Sequence, residues 1–242
     1  MTLKFALPML ALALVAPATG QAADKAFPIQ LADEATPDLA EAFVEAFETP
    51  MASSSDLDAV RVIDERSYHF RPVAMHKIGD HLWALLSTGS LDDAGHSDGG
   101  INAVHYLRDA EGGWQRAGEW LNLGAVGTVG NAATGWAFSD AIGKNPYLVT
   151  SGGGVWQGCA ISTATLTELA PGGPVDRAGF TDAMSSGAGT GQVDGEYDGR
   201  IVAAEPDKSF TVGYTGTRSF TQRYVLKDGK YALVGTDHVP GC

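Results

Sequence analysis

Three stretches of the chain repeat one pattern of apolar and polar positions. Trp83-Ala84-Leu85-Leu86-Ser87-Thr88-Gly89, Tyr147-Leu148-Val149-Thr150-Ser151-Gly152-Gly153 and Phe210-Thr211-Val212-Gly213-Tyr214-Thr215-Gly216 each open with an aromatic residue and close on glycine. Each also carries an aliphatic side chain two residues after the aromatic: Leu85, Val149 and Val212. Side chains two apart in an extended chain share a face, so both point the same way, as a strand covering a core requires. The same company surrounds each stretch. An apolar segment and a tight turn precede it (Tyr68 to Ile78, Trp136 to Ile142, Ile201 to Ala204), and a third apolar segment follows it (Ile101 to Arg108, Ala160 to Leu169, Phe220 to Lys227). Glycine-containing turns at Glu111-Gly112-Gly113, Pro171-Gly172-Gly173 and Asp228-Gly229 then introduce a fourth strand, and Arg116-Ala117-Gly118 in the first copy is matched by Arg177-Ala178-Gly179 in the second.

The pattern predicts an all-β fold built from three pseudo-repeats of a four-strand antiparallel meander, with units of about 67–123, 124–186 and 187–242. Twelve strands in three copies suit a β-trefoil-like closure; a barrel and a propeller-like arrangement are the alternatives. One helix stands outside this scheme. Thr36 suits the N-cap, Pro37 the first helical turn and Asp38 the positive end of the dipole. Leu39, Phe43 and Phe47 recur every four residues and Pro50 stops the run, which predicts a helix over about 36–49. The turn-rich stretch Ala52 to Asp56 then leads to the strands. Residues 23–66 are therefore expected to form an N-terminal extension, and 67–242 a single β domain.

The N-terminus changes the setting. Lys4, the uncharged apolar run Phe5 to Val15 and the small residues Ala16 to Ala23 have the layout of an export signal over residues 1–22. No other stretch is long and apolar enough to cross a bilayer, so no membrane span is expected in the mature chain, which is predicted to be periplasmic or secreted. Cys159 and Cys242 are the only cysteines. In an oxidising compartment such a pair is expected to form a disulfide, with a dimer through Cys242 or two free thiols as the alternatives. The formal net charge is −13, with the acidic residues scattered. No cluster of Lys and Arg offers a surface to a phosphate backbone, so nucleic acid is not an expected partner.

Candidate chemistry gathers in one loop. The connection after the repeated strand shortens along the chain, from Ser90–Gly100 through Gly154–Gly158 to Thr217–Ser219. Enlarged connections in repeat folds commonly carry function. The long loop holds Asp92, Asp93, His96, Ser97 and Asp98, and these form the predicted binding loop. Its carboxylates are hard oxygen donors of the kind calcium takes, as are those of Asp194 to Gly199, although neither run has the EF-hand spacing. No cofactor is otherwise expected. Trp114, Trp120, Trp136 and Trp156 are core residues or sugar-stacking platforms; Trp156 and Tyr197, in glycine-rich surroundings, are the first candidates for a glycan. His69, His76 and His81 lie in or beside the first hairpin, where a cross-strand histidine pair would be a metal site.

Gly95-His96-Ser97-Asp98-Gly99 satisfies G-x-S-x-G and resembles the nucleophile elbow of the α/β-hydrolases, and Asp237-His238-Val239-Pro240 resembles the region where that family places its catalytic histidine. The resemblance implies Ser97 as nucleophile and His238 as its base. It also requires a buried strand before the motif and a helix after it, and Asp92-Asp93-Ala94 is no such strand. The expected function is an exported non-enzymatic binding domain, with an envelope protein (as for an inhibitor or immunity-type protein) or a glycan as partner. A secreted serine hydrolase using Ser97 is the alternative.

Overall fold

The computed structural model describes residues 37–50, 57–187 and 195–242. The export segment, the Thr36 cap, the turn region Ala52 to Asp56 and part of the second glycine-rich connector lie outside them. One helix, α1 (Pro37–Phe47), precedes thirteen strands. The first sheet contains β1 (Ala59–Ile63), β2 (Arg66–Gly79), β3 (Leu82–Leu91), β4 (Ile101–Ala110) and β5 (Gly113–Leu121). The second contains β6 (Gly135–Ser139), β7 (Tyr147–Trp156), β8 (Cys159–Ala170), β9 (Gly173–Ser186), β10 (Gly195–Glu205), β11 (Ser209–Gly216), β12 (Phe220–Lys227) and β13 (Lys230–Leu233). Within each sheet, sequence neighbours pair antiparallel throughout.

All twelve expected strands are present, and each expected unit is a meander. Their grouping differs from the expectation. Strands divide into five and eight, which is not the threefold arrangement of a trefoil, because β10 pairs with β9 and merges the second and third units into one curled half-barrel. Residues 59–63, which fall within the expected N-terminal extension, form β1, the edge strand of the first sheet. The repeated stretches are β3, β7 and β11, and their aromatic and aliphatic side chains do share a face. Their surroundings diverge. Tyr147, Val149, Phe210 and Val212 are buried together inside the curled sheet, whereas Leu85 packs beneath α1 and Trp83 is half-buried against Trp114. The first two units share a finer feature: β5 and β9 each carry a bulge within the Arg-Ala-Gly triplet, opposite Tyr106/Leu107 and Leu166/Thr167.

Alternation along the strands gives the first sheet two buried faces. Phe70, Leu85, Ala103 and Leu107 face α1, which lays Leu39, Ala42, Phe43, Ala46 and Phe47 against them and leaves Glu41 and Glu45 in solvent. Two arginines from the sheet satisfy the carbonyls that the helix end leaves open. Arg61 donates to Phe47 O at 2.7 Å, and Arg116 donates to Ala46 O at 3.2 Å while pairing with Glu48. Cations are favoured there by the helix dipole as well. On the opposite face Val73, Ala84, Leu86, Val104 and Tyr106 meet Leu148 and Leu169 of the second sheet. The Tyr106 hydroxyl donates to Ala170 O at 2.9 Å, so the ring crosses this layer without leaving its polar end unmatched.

The second sheet curls so that its other face encloses a third core of Tyr147, Leu166, Phe180, Met184, Phe210, Tyr214 and Tyr224. Burial holds Tyr147 and Tyr214 far above the ordinary phenol range and pushes Tyr224 up to about 12, so these hydroxyls are neutral donors. The Cys159–Cys242 disulfide is formed, with Cα atoms 5.7 Å apart, and it draws the C-terminal tail, with buried Val239, across this core. The first glycine-rich connector packs tightly between the sheets' ends. Val126 backbone passes so near Gly152 that an added Cβ would lie 2.3 Å from it.

Two outcomes follow. Cys242→Ser is expected to lower the unfolding free energy by roughly 4 kcal/mol, the loop-closure value for a bond spanning 83 residues; a urea midpoint unchanged from the wild type would show that the tail is held without it. Gly152→Ala, which forces Val126 away, is expected to cost about 1–3 kcal/mol by the same measurement. Equal midpoints would contradict the close packing of the connector.

Candidate functional site

Inward-facing positions of the curled sheet change character along three neighbouring strands. On β7 the sequence Tyr147, Val149, Ser151 faces inward, on β8 Leu166, Ala164, Ser162, and on β9 Ala178, Phe180, Asp182. The apolar core thus gives way at one end to two hydroxyls and a carboxylate. Asp182 sits at a bulge, since Thr163 faces Thr181 and Ser162 faces Ala183, and the extra residue is where the side chain is re-aimed.

These three side chains form a hydrogen-bonded set. Ser151 Oγ donates to Asp182 Oδ2 at 2.5 Å and lies 2.9 Å from Ser162 Oγ. With the Ser151 proton committed to the carboxylate, the Ser162 hydroxyl donates either to Ser151 Oγ or to Gly152 O, which is 3.3 Å away. Asp182 Oδ1 is buried and has no hydrogen-bond partner among the described residues. Buried polar atoms are nearly always paired, so such an oxygen marks a place of interest.

A cavity of about 270 Å³ lies over this floor, with Val149, Ala164 and Phe180 as its apolar part. Its two lips come from distant strands. Thr134 and Gly135 at the start of β6 form one, and Asp198, Gly199 and Arg200 of β10 form the other. Three strands separate β6 from β10 along the sheet, and the curl alone brings them to one opening. At this opening Arg200 pairs with Asp198 at 3.2 Å, so the rim carboxylate is already paired, while Asp182 has no cationic partner among the described residues. A second hollow of about 440 Å³ continues from it past Gly154, Val155 and Met184 and shares Ser162, Ala183 and Asp198.

The residues predicted from the sequence are placed differently. Asp98 anchors its own loop, accepting from Gly95 N at 2.8 Å and from Arg66 at 3.0 Å, and these donors hold its carboxyl below the ordinary range. Asp92 lies 3.2 Å from His69 Nε2, whose Nδ1 meets Asp58 at 2.9 Å; the Asp58 hydrogen bond raises the imidazole above its usual value. Asp93 is exposed in the same loop. The carboxylates of the predicted calcium run are therefore directed to different partners, and no group of three metal-ligating side chains converges among the described residues. Asp194, of the second run, lies outside them. His69 faces Ser90, His76 faces Ala84 and stacks on Phe138, and His81 occupies the turn, so register separates the three histidines.

His96 Nε2 lies 3.0 Å from Val155 O, which brings the long loop to the edge of the second hollow, next to Trp156 at the tip of the β7–β8 hairpin. Trp156 is 40% exposed. Tyr197, expected in a glycine-rich loop, is instead buried on β10 against Phe220, because its position alternates into the core. Ser97 lies between antiparallel strands β3 and β4, with a strand and not a helix after it, so the strand–turn–helix setting of a nucleophile elbow is not formed around it. His238 packs edge-on against Phe220, with ring centroids 5.6 Å apart.

Set against protein-family models, curated proteins and solved structures, the chain matches none. Sequence reasoning missed Ser151, Ser162, Asp182 and Arg200 as a group. One signal was present: Asp182 falls between Phe180 and Met184, at a position whose alternation calls for an apolar residue.

His105 is a further polar group inside the protein, on the face of the first sheet under α1. Its side chain is fully buried, its ring centroid lies 4.6 Å from that of Phe47, and its Nε2 meets Glu119 Oε1 at 2.8 Å. Nδ1 has no partner among the described residues. Burial lowers its affinity for a proton below the ordinary 6.5 and outweighs the pull of Glu119. The unfolded chain binds the proton more tightly, so stability is whole above pH 6.5 and is lost as pH falls from there towards the depressed folded value. Acidification from pH 7 to 5 is therefore expected to lower Tm in the wild type and less so in His105→Phe, read by circular dichroism. Parallel Tm–pH curves would remove His105 from the acid response.

Proposed function

We propose that this is an exported, non-enzymatic binding protein that takes a small ligand in the mouth of its curled sheet. The observation that carries the reading is the inward-facing Ser151–Ser162–Asp182 floor, whose Asp182 Oδ1 has no hydrogen-bond partner among the described residues. A mostly apolar hollow with a few convergent polar groups is the usual form of a small-molecule site. Its size admits one compact group, the end of a glycan included.

Binding is favoured over catalysis by where the histidines are. All six are engaged elsewhere: His69 with Asp58 and Asp92, His76 with Asp140, His81 with Asp109, His96 with Val155 O, His105 with Glu119, and His238 on Phe220. The serines of the floor therefore have a carboxylate beside them but no imidazole to take and return a proton. Export is supported by the charge-then-apolar N-terminal layout and by the Cys159–Cys242 bond, which an oxidising compartment sustains.

The test is a nuclear magnetic resonance titration of the mature protein with a fragment set of sugars, amines and carboxylic acids. Amide shifts are expected to cluster at Ser151, Ser162, Asp182 and Asp198. Clustering on residues 90–100 would move the site to the long loop. Labelling by a fluorophosphonate probe that Ser97→Ala abolishes would replace the binding reading with the hydrolase one.

A further inference from the structure

Resting on the cavity as the binding site, we infer that its ligand is a small organic cation: a primary ammonium group on a short apolar body. Hydrogen-bond inventory sets the head group. The Ser151 proton goes to Asp182 and the Ser162 proton to Ser151 Oγ or Gly152 O, so both hydroxyl donors are spent on the protein. What the floor has left is accepting capacity, on the Asp182 carboxylate that lines the cavity and at the remaining lone pairs of Ser162 Oγ. A ligand that fits must donate, and an ammonium group brings three donors and no acceptor.

Charge separates an ammonium group from a neutral alcohol, which also donates. Asp198 is paired with Arg200 at the rim, so Asp182 supplies the floor's charge that no described residue compensates. Hydrogen bonds with an ionised group at both ends are shorter and roughly twice as strong as neutral ones. An anionic ligand would instead meet the carboxylate unscreened. The formal net charge of −13 draws cations towards the protein and repels anions before any contact is made. Behind the head group, Val149, Ala164 and Phe180 offer an apolar surface to an alkyl or aryl body, for which a cavity of about 270 Å³ has room.

The experiment compares four probes on the intact mature protein by chemical-shift titration: n-butylammonium, its neutral isostere n-butanol, tetramethylammonium and glucose. Butylammonium is expected to shift the Ser151, Ser162 and Asp182 amides and to bind at least tenfold more tightly than butanol. Tetramethylammonium, with charge but no N–H, is expected to bind more weakly than butylammonium. Asp182→Asn is expected to weaken butylammonium at least tenfold, and Ser162→Ala, which keeps the charge, by a few-fold. Should Asp182→Asn fail to fold, the comparison of butylammonium with butanol on the wild type decides. Butanol or glucose binding in the cavity as tightly as butylammonium would overturn the cation and leave the cavity reading standing. If no probe moves the floor amides, both fall.

Discussion

The curl of the eight-stranded sheet governs the rest of this molecule. β9 and β10 pair over only Ala183–Ser186 and Gly195–Asp198, and beyond that the two strands separate. The sheet bends there because nothing in the ladder prevents it, and cross-links hold the bend. Tyr214 donates to Thr181 O at 2.9 Å, Arg177 donates to Gly229 O at 2.8 Å, and Lys144 N donates to Asp207 at 3.0 Å. Each bond joins parts of the sheet that are not neighbours in its strand order. Together with the aromatic interior they turn an open surface into an enclosed one, and the Cys159–Cys242 bond fastens the tail across it.

Enclosure then changes what the polar residues inside can do. On a flat sheet Ser151, Ser162 and Asp182 would be solvated and unremarkable in their chemistry. Inside the curl they compete for few donors, and one carboxylate oxygen is left without a partner among the described residues. The cavity is thus a by-product of the same bend that builds the core, and its lips are contributed by β6 and β10 because the curl returns one towards the other.

The five-stranded sheet has a different task. It is covered by α1 on one face and by the second sheet on the other, so every residue of β4 from Ile101 to Leu107 is buried. His105 is the exception in kind: a titratable group in a double-sided layer, tolerable because Glu119 accepts from one nitrogen and Phe47 covers the ring. Arg61 and Arg116 close the helix end from the sheet below, so helix and sheet complete each other's hydrogen bonding as well as each other's core.

Local rules determined the elements of this protein. The four-residue spacing of Leu39, Phe43 and Phe47 yields α1, and alternation with glycine-containing turns yields twelve strands in order, because helix and strand periods depend only on neighbours along the chain. Even the shared bulge of β5 and β9 is visible as a repeated Arg-Ala-Gly triplet. Likeness between the units is where local reading stops. Trp83, Tyr147 and Phe210 look equivalent in sequence, yet one is half-buried against Trp114 on the first sheet and two line the interior of the curled second sheet. Whether β10 pairs with β9, which lips meet across the cavity, and which of many serines and aspartates is denied its partners are matters of contacts between residues distant in sequence. Those were decided by the tertiary structure, because burial and pairing are properties of the assembled chain and no single strand contains them.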